Sequence, residues 1–426
     1  KPGQRVRLAF QPQDQTPPAP PLLCPVADAA PNLDGRLDDP VWARAARIEG
    51  LMNHREPASP ASQKTEILLC HDTASLYLGF RCMEPQMANL KAAAKDHDGP
   101  VFADDSIEIF LDTRNDEFNF VQLAFNAAGV RFDQRCAGSN NYGANVFGVD
   151  YERKRVRDTA WNPDWTVKTT RHADRWEAEV AIPFKTLGRD SDLWGANFGR
   201  NRHAGESETS AWKVFGSFHQ PEKFGKLLLT GARDGKARIT AFQCETPLFG
   251  LCGATLHIQA ASPLTAKAVV DTAAGAKDYP AAANGAVKFS CPLDETARGL
   301  TFIAAAGPVE LCRIHTPARV PPPMQTLNAT RVLSTAAPAG RLDLSLQVAA
   351  SQRPACQLTC ALLAPDGKQL DAAVTPIKSS EVQVALDLTG CPPGAYTLQF
   401  NLQTPNAAPL THNEQMILIP HFLSAN

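Results

Sequence analysis

The 426-residue sequence is short of nearly everything that marks a membrane, nucleic-acid or metal-centred protein. It nowhere holds the roughly 18 consecutive apolar residues that a membrane helix needs, so no helical span is expected. It has no block of like charge and a net charge of −2, so no long-range field draws it to nucleic acid or an anionic membrane; partners must be recognised by local contacts. Its eleven cysteines contain no C-x-x-C pair, which argues against structural zinc and iron–sulfur ligation. Neither H-E-x-x-H nor G-x-S-x-G occurs, so zinc-peptidase and serine-hydrolase chemistry have no foothold. "DTRNDEFNF" (112–120) lacks the glycine and terminal glutamate of an EF-hand loop and reads as a hairpin turn. "AGSNNYG" (137–143) is read as a flexible loop and not a phosphate cradle.

Tryptophan is also missing from the second half. All six, Trp42, Trp161, Trp165, Trp176, Trp194 and Trp212, precede residue 232, which separates a first domain at 22–231 from the remainder of the chain. A chain of this length needs more than one core. Proline-rich "QTPPAPPLLCP" (15–25) and "TPARVPPPMQ" (316–325) read as extended segments at domain edges. Residues 1–21 are therefore expected to be the end of a preceding domain or a linker. Because the chain begins at Lys1, a signal peptide and upstream domains are expected before it.

What the sequence does hold is short runs with period two, the signature of half-buried strands. "SLYLGFRC" puts Leu76, Leu78 and Phe80 on one face, "FVQLAFNAAG" does so with Val121, Leu123 and Phe125, and "RWEAEVAIPF" with Trp176, Ala178, Val180 and Ile182. Pro183 should take the chain out of its strand into a short helical turn. The expected fold is all-β: an antiparallel β-sandwich followed by two smaller immunoglobulin-like β-sandwiches, at 232–318 and 326–426, with 319–325 as a linker. In the tail, "RLDLSLQVAA", "EVQVALDLTG" and "GAYTLQFNLQT" alternate cleanly, and "CPPGAYTL" reads as a turn entering a strand. Cysteines such as Cys70 in "EILLCHD" fall inside strands and are read as buried free thiols. Cys356 and Cys360 share a strand face but lie too far apart along it to bond each other, and one or two disulfides elsewhere in the tail stay open.

Eight motifs follow one another over about 210 residues of the first segment: "LDGRLDDPVWARA" (33–45), "HDTASLYLGFRC" (71–82), "VFADDSIEIFLD" (101–112), "FVQLAFNAAG" (120–129), "WEAEVAIPFKTLG" (176–188), "WGANFGRNR" (194–202), "AWKVFG" (211–216) and "PEKFGKLLL" (221–229). In this order they resemble the family 9 carbohydrate-binding modules of the DOMON-like superfamily. The resemblance implies a sandwich that binds a sugar between two aromatic rings, whose faces stack on the apolar C–H surface of a pyranose while polar neighbours hold its hydroxyls. It places the ring positions on Phe102 and Phe218, where the family's well-known binders have tryptophan, and the acidic partner on Glu108. It departs at Ala124, where an arginine is expected, and at Gly199, where an amide is expected. Asn197, Arg131 and Arg200 are the nearby candidates to supply donors instead.

Read this way, "VFADDSIEIFLD" is a wall of a binding face, with Phe102 as platform and Glu108 as acceptor. Its acids have rival readings. A catalytic pair would need two carboxylates about 5 to 10 Å apart flanking a bond, and a structural calcium would draw on the loop acids Asp34, Asp38, Asp39, Asp72, Asp98 and Asp104, with Asp34, Asp72 and Asp104 as the leading metal candidates. Turn caps are the plain alternative. Because the superfamily includes haem-binding domains, Met52, His54, Met83, Met87 and His97 are the candidate axial ligands of a runner-up electron-transfer reading, against which stands the lack of C-x-x-C-H. The third reading is a structural spacer with a lost ligand site. The expected function is non-catalytic binding of oligosaccharide or polysaccharide ends. The expected setting is the C-terminal part of a secreted, cell-surface or periplasmic glycan-active protein, with no certain cofactor and with a catalytic domain upstream.

Overall fold

The computed structural model describes residues 5–12, 18–139, 156–214, 216–284, 286–329, 331–334, 340–349, 352–377, 382–404 and 409–420. The period-two runs become strands, because alternate side chains of a strand point to opposite faces and one face of each run is apolar. In chain order these are β1 (Arg5–Pro12), β2 (Leu22–Cys24), β3 (Ala46–Glu49), β4 (Met52–Asn53), β5 (Thr65–His71), β6 (Ser75–Met83), β7 (Ser106–Asp112), β8 (Asn119–Asn126), β9 (Arg131–Ala137), β10 (Val156–Asp158), β11 (Thr166–Arg171), β12 (Arg175–Pro183), β13 (Leu193–Arg202), β14 (Glu208–Ala211) and β15 (Gly225–Leu229). The helical turn expected after Pro183 is α1 (Phe184–Leu187). Residues 112–119 form the tight connection between β7 and β8, where the Asp112 carboxylate accepts the amides of Asp116 and Glu117.

The first domain is a two-sheet sandwich. One sheet runs β10–β9–β8–β7–β13–β14–β4, with β15 and β2 added where β13 begins; the other runs β11–β12–β6–β5–β3. Between them lie Ile107, Ile109, Leu111, Leu123, Phe125 and Phe198 from the first sheet and Leu76, Leu78, Phe80, Trp176, Val180 and Ile182 from the second. The "LDGRLDDPVWARA" segment covers the outer side of the second sheet, where Trp42 packs with Leu37, Leu68, Cys70 and Tyr77 and donates Nε1–H to Glu179 Oε1 at 2.9 Å. Gly35 makes the close approach there: its φ is +90°, and a Cβ would meet the backbone of Thr169 at 2.7 Å.

The second domain comprises β16 (Arg238–Cys244), β17 (Gly250–Gln259), β18 (Thr265–Thr272), β19 (Gly275–Asn284), β20 (Ala286–Leu293), β21 (Ala297–Ala306) and β22 (Val309–Pro317) in the order β16–β17–β20–β19–β18–β21–β22. Every pairing is antiparallel, and the sheet closes over Phe242, Phe289 and Phe302. In the third domain, Met324–Ala329, Gly340–Leu346 and Val382–Asp387 face a second sheet built on Gln357–Leu363, Gly394–Gln403 and Leu410–Ile419. Tyr396 Oη donates to the carbonyl of Pro392 at 2.7 Å, the tyrosine corner found in immunoglobulin-like sandwiches. The eleven cysteines are free thiols, nine of them buried, Cys356 and Cys360 among them in the third core.

Two boundaries differ from the expectation. The N-terminal segment is not a linker or the end of another domain: β1 lies inside the third domain's sheet, parallel to Gly340–Leu346 and antiparallel to Val382–Asp387. Pairing on both edges satisfies its backbone groups, which no local reading of eight residues can foresee. The segment 319–325 already contains the start of a strand at Met324.

The first two domains are clamped at Asp192, which is fully buried. Its backbone N–H donates to Arg313 O at 2.7 Å, and its carboxylate accepts the N–H of Arg313 at 2.8 Å and Arg189 Nε–H at 2.7 Å. Phe249 joins the third domain through backbone bonds to Gln347 and Ala349.

Deleting residues 1–12 should strip hydrogen-bond partners from two strands of the third domain and remove its calorimetric transition. Tryptophan fluorescence reports the first domain alone, since all six indoles lie there, and its melt should be nearly unchanged.

Candidate functional site

The parity of β7 sets the outer face of the nine-stranded sheet. Ile107, Ile109 and Leu111 enter the core, so Ser106, Glu108 and Phe110 point outward. Pairing puts Ala124 on one side of Glu108 and Gly199 on the other, and extends the outward set to Gln122, Gln134, Asn201 and Thr209.

These polar side chains form one hydrogen-bonded row across five strands. Gln134 Nε2–H donates to Gln122 Oε1, Gln122 Nε2–H to Glu108 Oε2 at 2.7 Å, Asn201 Nδ2–H to Glu108 Oε1 at 2.8 Å, and Thr209 Oγ1–H to Asn201 Oδ1 at 3.1 Å. His219 Nε2 lies 3.0 Å from Gln122 Oε1. Glu108 is 6% exposed. Burial pushes its carboxyl up to about 7, against the pull of the Asn201 and Gln122 amides toward the charged form.

Aromatic rings stand on either side. Phe102 meets Phe132 edge to face with centroids 4.8 Å apart, and both pack around Ala124. Phe218 lies over Gly199, where a Cβ would meet its ring carbons at 2.8 Å; it also contacts His54 and Phe110, with centroids at 4.6 and 5.5 Å. Phe102 and Phe218 are thus half-buried and not fully solvent-facing platforms. The small residues that replace the expected arginine and amide are what let the rings settle onto the sheet.

Three candidates are placed otherwise than expected. Asn197 points outward beside Phe110 but is closed over by the following loop, its Oδ1 accepting the N–H groups of Lys213 and Val214 at 3.0 and 3.3 Å. Arg200 has the parity of Ala196 and Phe198 and is turned to the inner side, where Nη1–H donates to Thr65 Oγ1 at 3.2 Å, Nη2–H to Met83 O at 3.0 Å, and the guanidinium lies 3.5 Å from Glu84. Arg131 donates to the carbonyl of Trp165 and stacks over its indole. None of the three takes part in the hydrogen bonds of the row, although Asn197 Nδ2 is buried without a partner of its own.

The metal candidates Asp34, Asp72 and Asp104 are not brought together. Asp34 Oδ1 caps the N–H of Arg36 at 2.9 Å. Asp72 accepts the N–H groups of Ala74 and Ser75 and the hydroxyl of Tyr77. Asp104 accepts the N–H groups of Ala93 and Ala94 and the Asn126 amide, all at 2.9 Å; burial raises its carboxyl, but these bonds outweigh it and hold the group below its ordinary value. Among the described residues, His97, Asp98 and Asp133 have metal-ligating atoms within 4.8 Å of one another, with His97 Nε2 2.8 Å from Asp133 Oδ2. The haem candidates are spread out. Met52 lies on β4 and His54 against Phe218, Met83 ends β6, Met87 packs on the core, and His97 sits at Asp133.

Residues 33–232 match the family model described as carbohydrate family 9 binding domain-like. The first domain is a family 9 module. Similar solved structures include a family 9 carbohydrate-binding module from Caldicellulosiruptor kristjanssonii in complex with glucose (16% identity, covering 49% of this chain and 95% of that one, TM-score 0.35) and one in complex with cellotriose (18%, 49% and 93%, 0.34). A putative carbohydrate-binding protein from Bacteroides uniformis is also similar (16%, 49% and 98%, 0.37). No curated protein matches the chain.

Within the family 9 module, the row residues Gln122, Gln134, Asn201 and Thr209 and the rings of Phe132 and His219 were not singled out from sequence, and His54 was singled out only as a haem candidate. The parity that buries Leu123 and Phe125 already turns Gln122 outward, so that position was readable; the two histidines arrive from other loops and carry no local signal.

Glu108 keeps its proton in the folded module to about pH 7, but releases it near its ordinary 4.5 when unfolded. Its contribution is therefore full below that ordinary value and is lost as pH rises to about 7. The melting temperature of Glu108→Gln relative to wild type should shift in the variant's favour between pH 5 and pH 8. A constant difference would show that Glu108 does not carry the titration.

Trp42→Ala and Trp176→Ala should each cost about 3–5 kcal/mol by chemical denaturation, as for buried rings, and Phe102→Ala and Phe218→Ala about 1–2 kcal/mol, because each keeps an open side.

Proposed function

We propose that the family 9 module binds carbohydrate, without catalysis, on the outer face of its larger sheet. The observation that carries this reading is the row centred on Glu108 with a ring cluster on each side. Sugar rings offer apolar C–H faces to Phe102 and Phe218, and their hydroxyls need acceptors and amide donors between the rings. Glu108 is the acceptor, held at a fixed angle by two amides, and Gln122 and Asn201 bring neutral groups that can exchange partners with hydroxyls. The nearby carboxylate Asp104 is committed to three N–H donors, which supports a binding role for this wall over an acid–base pair.

The protein works outside the cytoplasm, in a secreted, cell-surface or periplasmic setting, as part of a glycan-active protein. A module that only binds is useful by holding an attached domain at high local concentration over its substrate. The second and third sandwiches serve as spacers between that substrate and whatever the chain is joined to.

The test is titration of the full chain with glucose, cello-oligosaccharides and a glycan array. Binding is expected at a dissociation constant in the micromolar to millimolar range, about 4 to 8 kcal/mol, and should be lost in Phe102→Ala and Phe218→Ala while the melting transition persists. Absence of binding to every glycan, or binding indifferent to both variants, would sink the assignment.

A further inference from the structure

Three thiols meet in the second domain, at a place unrelated to the row on the first. Cys252 and Cys291 are direct cross-strand partners on β17 and β20 and are fully buried. Cys244, at the end of β16, is half-exposed, and its Sγ lies 3.8 Å from Sγ of Cys252. Cys244 also lines a cavity of about 770 Å³ between the first two domains, walled by Pro18, Pro20, Phe242 and Phe289. That volume falls in the range of roughly 300 to 1,000 Å³ that takes small molecules. Lys226, Lys288 and Arg319 line it together with Glu117 and Glu245, and Lys226 and Arg319 are both paired with Glu117, at 3.2 and 3.0 Å.

We infer that Cys244 and Cys252 are a reactive thiol pair whose substrate is a low-molecular-weight disulfide admitted by this cavity. Cys244 is the sulfur a guest can reach. Its thiolate attacks one sulfur of the small disulfide, forming a mixed disulfide and expelling one small thiolate. Cys252, the neighbouring sulfur, then attacks Cys244 Sγ and expels the second. Two protein thiols become one disulfide, the small disulfide becomes two thiols, and the two protein protons pass to those products. The sulfurs must close from 3.8 Å to about 2.05 Å, with a shift at the end of β16, because Cys244 pairs with Ala254 and lies diagonal to Cys252. Cys252 is held in the thiol form, first by its hydrogen bond with Cys244 and also by burial, so it does not compete for the guest and gives up its proton only once Cys244 has reacted and that bond is gone. The product ties β16 to β17 and so fixes one wall of the cavity.

The test incubates the folded full chain with oxidised glutathione at mildly alkaline pH, followed by intact-mass measurement and peptide mapping. Wild type should lose two hydrogens and yield a Cys244–Cys252 peptide. Cys252→Ala should stop with glutathione on Cys244, and Cys244→Ser, at a half-exposed position that the fold tolerates, should lose both products. The inference is overturned if wild type keeps both thiols, if Cys244→Ser still oxidises Cys252, or if the disulfide maps to Cys252 and Cys291 with Cys244 never modified.

Discussion

The outer face of the first domain depends on how one buried carboxylate is held. Glu108 has the sheet beneath it and rings to either side, so water cannot supply its hydrogen bonds and the protein must. Among the described residues, no lysine or arginine is placed in the row to do so. Two neutral amides donate instead, and an amide is useful only when turned the right way. Gln134 and His219 turn Gln122, and Thr209 turns Asn201. Removing any link leaves a buried polar group without its partner, at a cost of about 1–3 kcal/mol for each neutral group. The row therefore acts as a unit with one fixed orientation.

Arg200, one of the two arginines that the sequence assigned to this face, is engaged elsewhere for a related reason. Arg200 and Arg202 both meet Glu84, which is completely buried, at the rim of the sandwich. Arg202 donates to both oxygens of this buried acid and the N–H of Gln86 to one of them, while the Arg200 guanidinium stands 3.5 Å away as a second counter-charge. Moving Arg200 to the outer face would leave its bonds to Thr65 and Met83 unmade. The chain thus keeps strong charge pairs for closing the sandwich and weak, neutral groups for its face.

The face is also presented on a stiff body. Asp192 bonds the second domain through both its backbone and its carboxylate, Phe249 bonds the third, and β1 returns the N-terminal segment into the third domain's sheet before the chain enters the first. Each contact uses backbone groups that would otherwise be unsatisfied, so the three sandwiches are joined by hydrogen bonds as well as by covalent linkers.

Much of this was legible from residues alone, because strand alternation is local. Two positions along a strand decide which face a side chain takes, and that rule placed Leu76, Leu78, Phe80, Leu123, Phe125, Trp176 and Val180 in the core. The order of motifs over 33–229 pointed to the family for the same reason, since each motif is a strand or a turn with its own pattern. Alternation does not say which loop lies over which strand. That Phe218 rests on Gly199, that Asn197 is sealed by residues 213 and 214, that Arg131 serves Trp165, and that residues 5–12 belong to a sheet more than 300 residues away along the chain were decided only by tertiary structure. These contacts join segments distant in sequence, and shape and the satisfaction of buried polar groups select them.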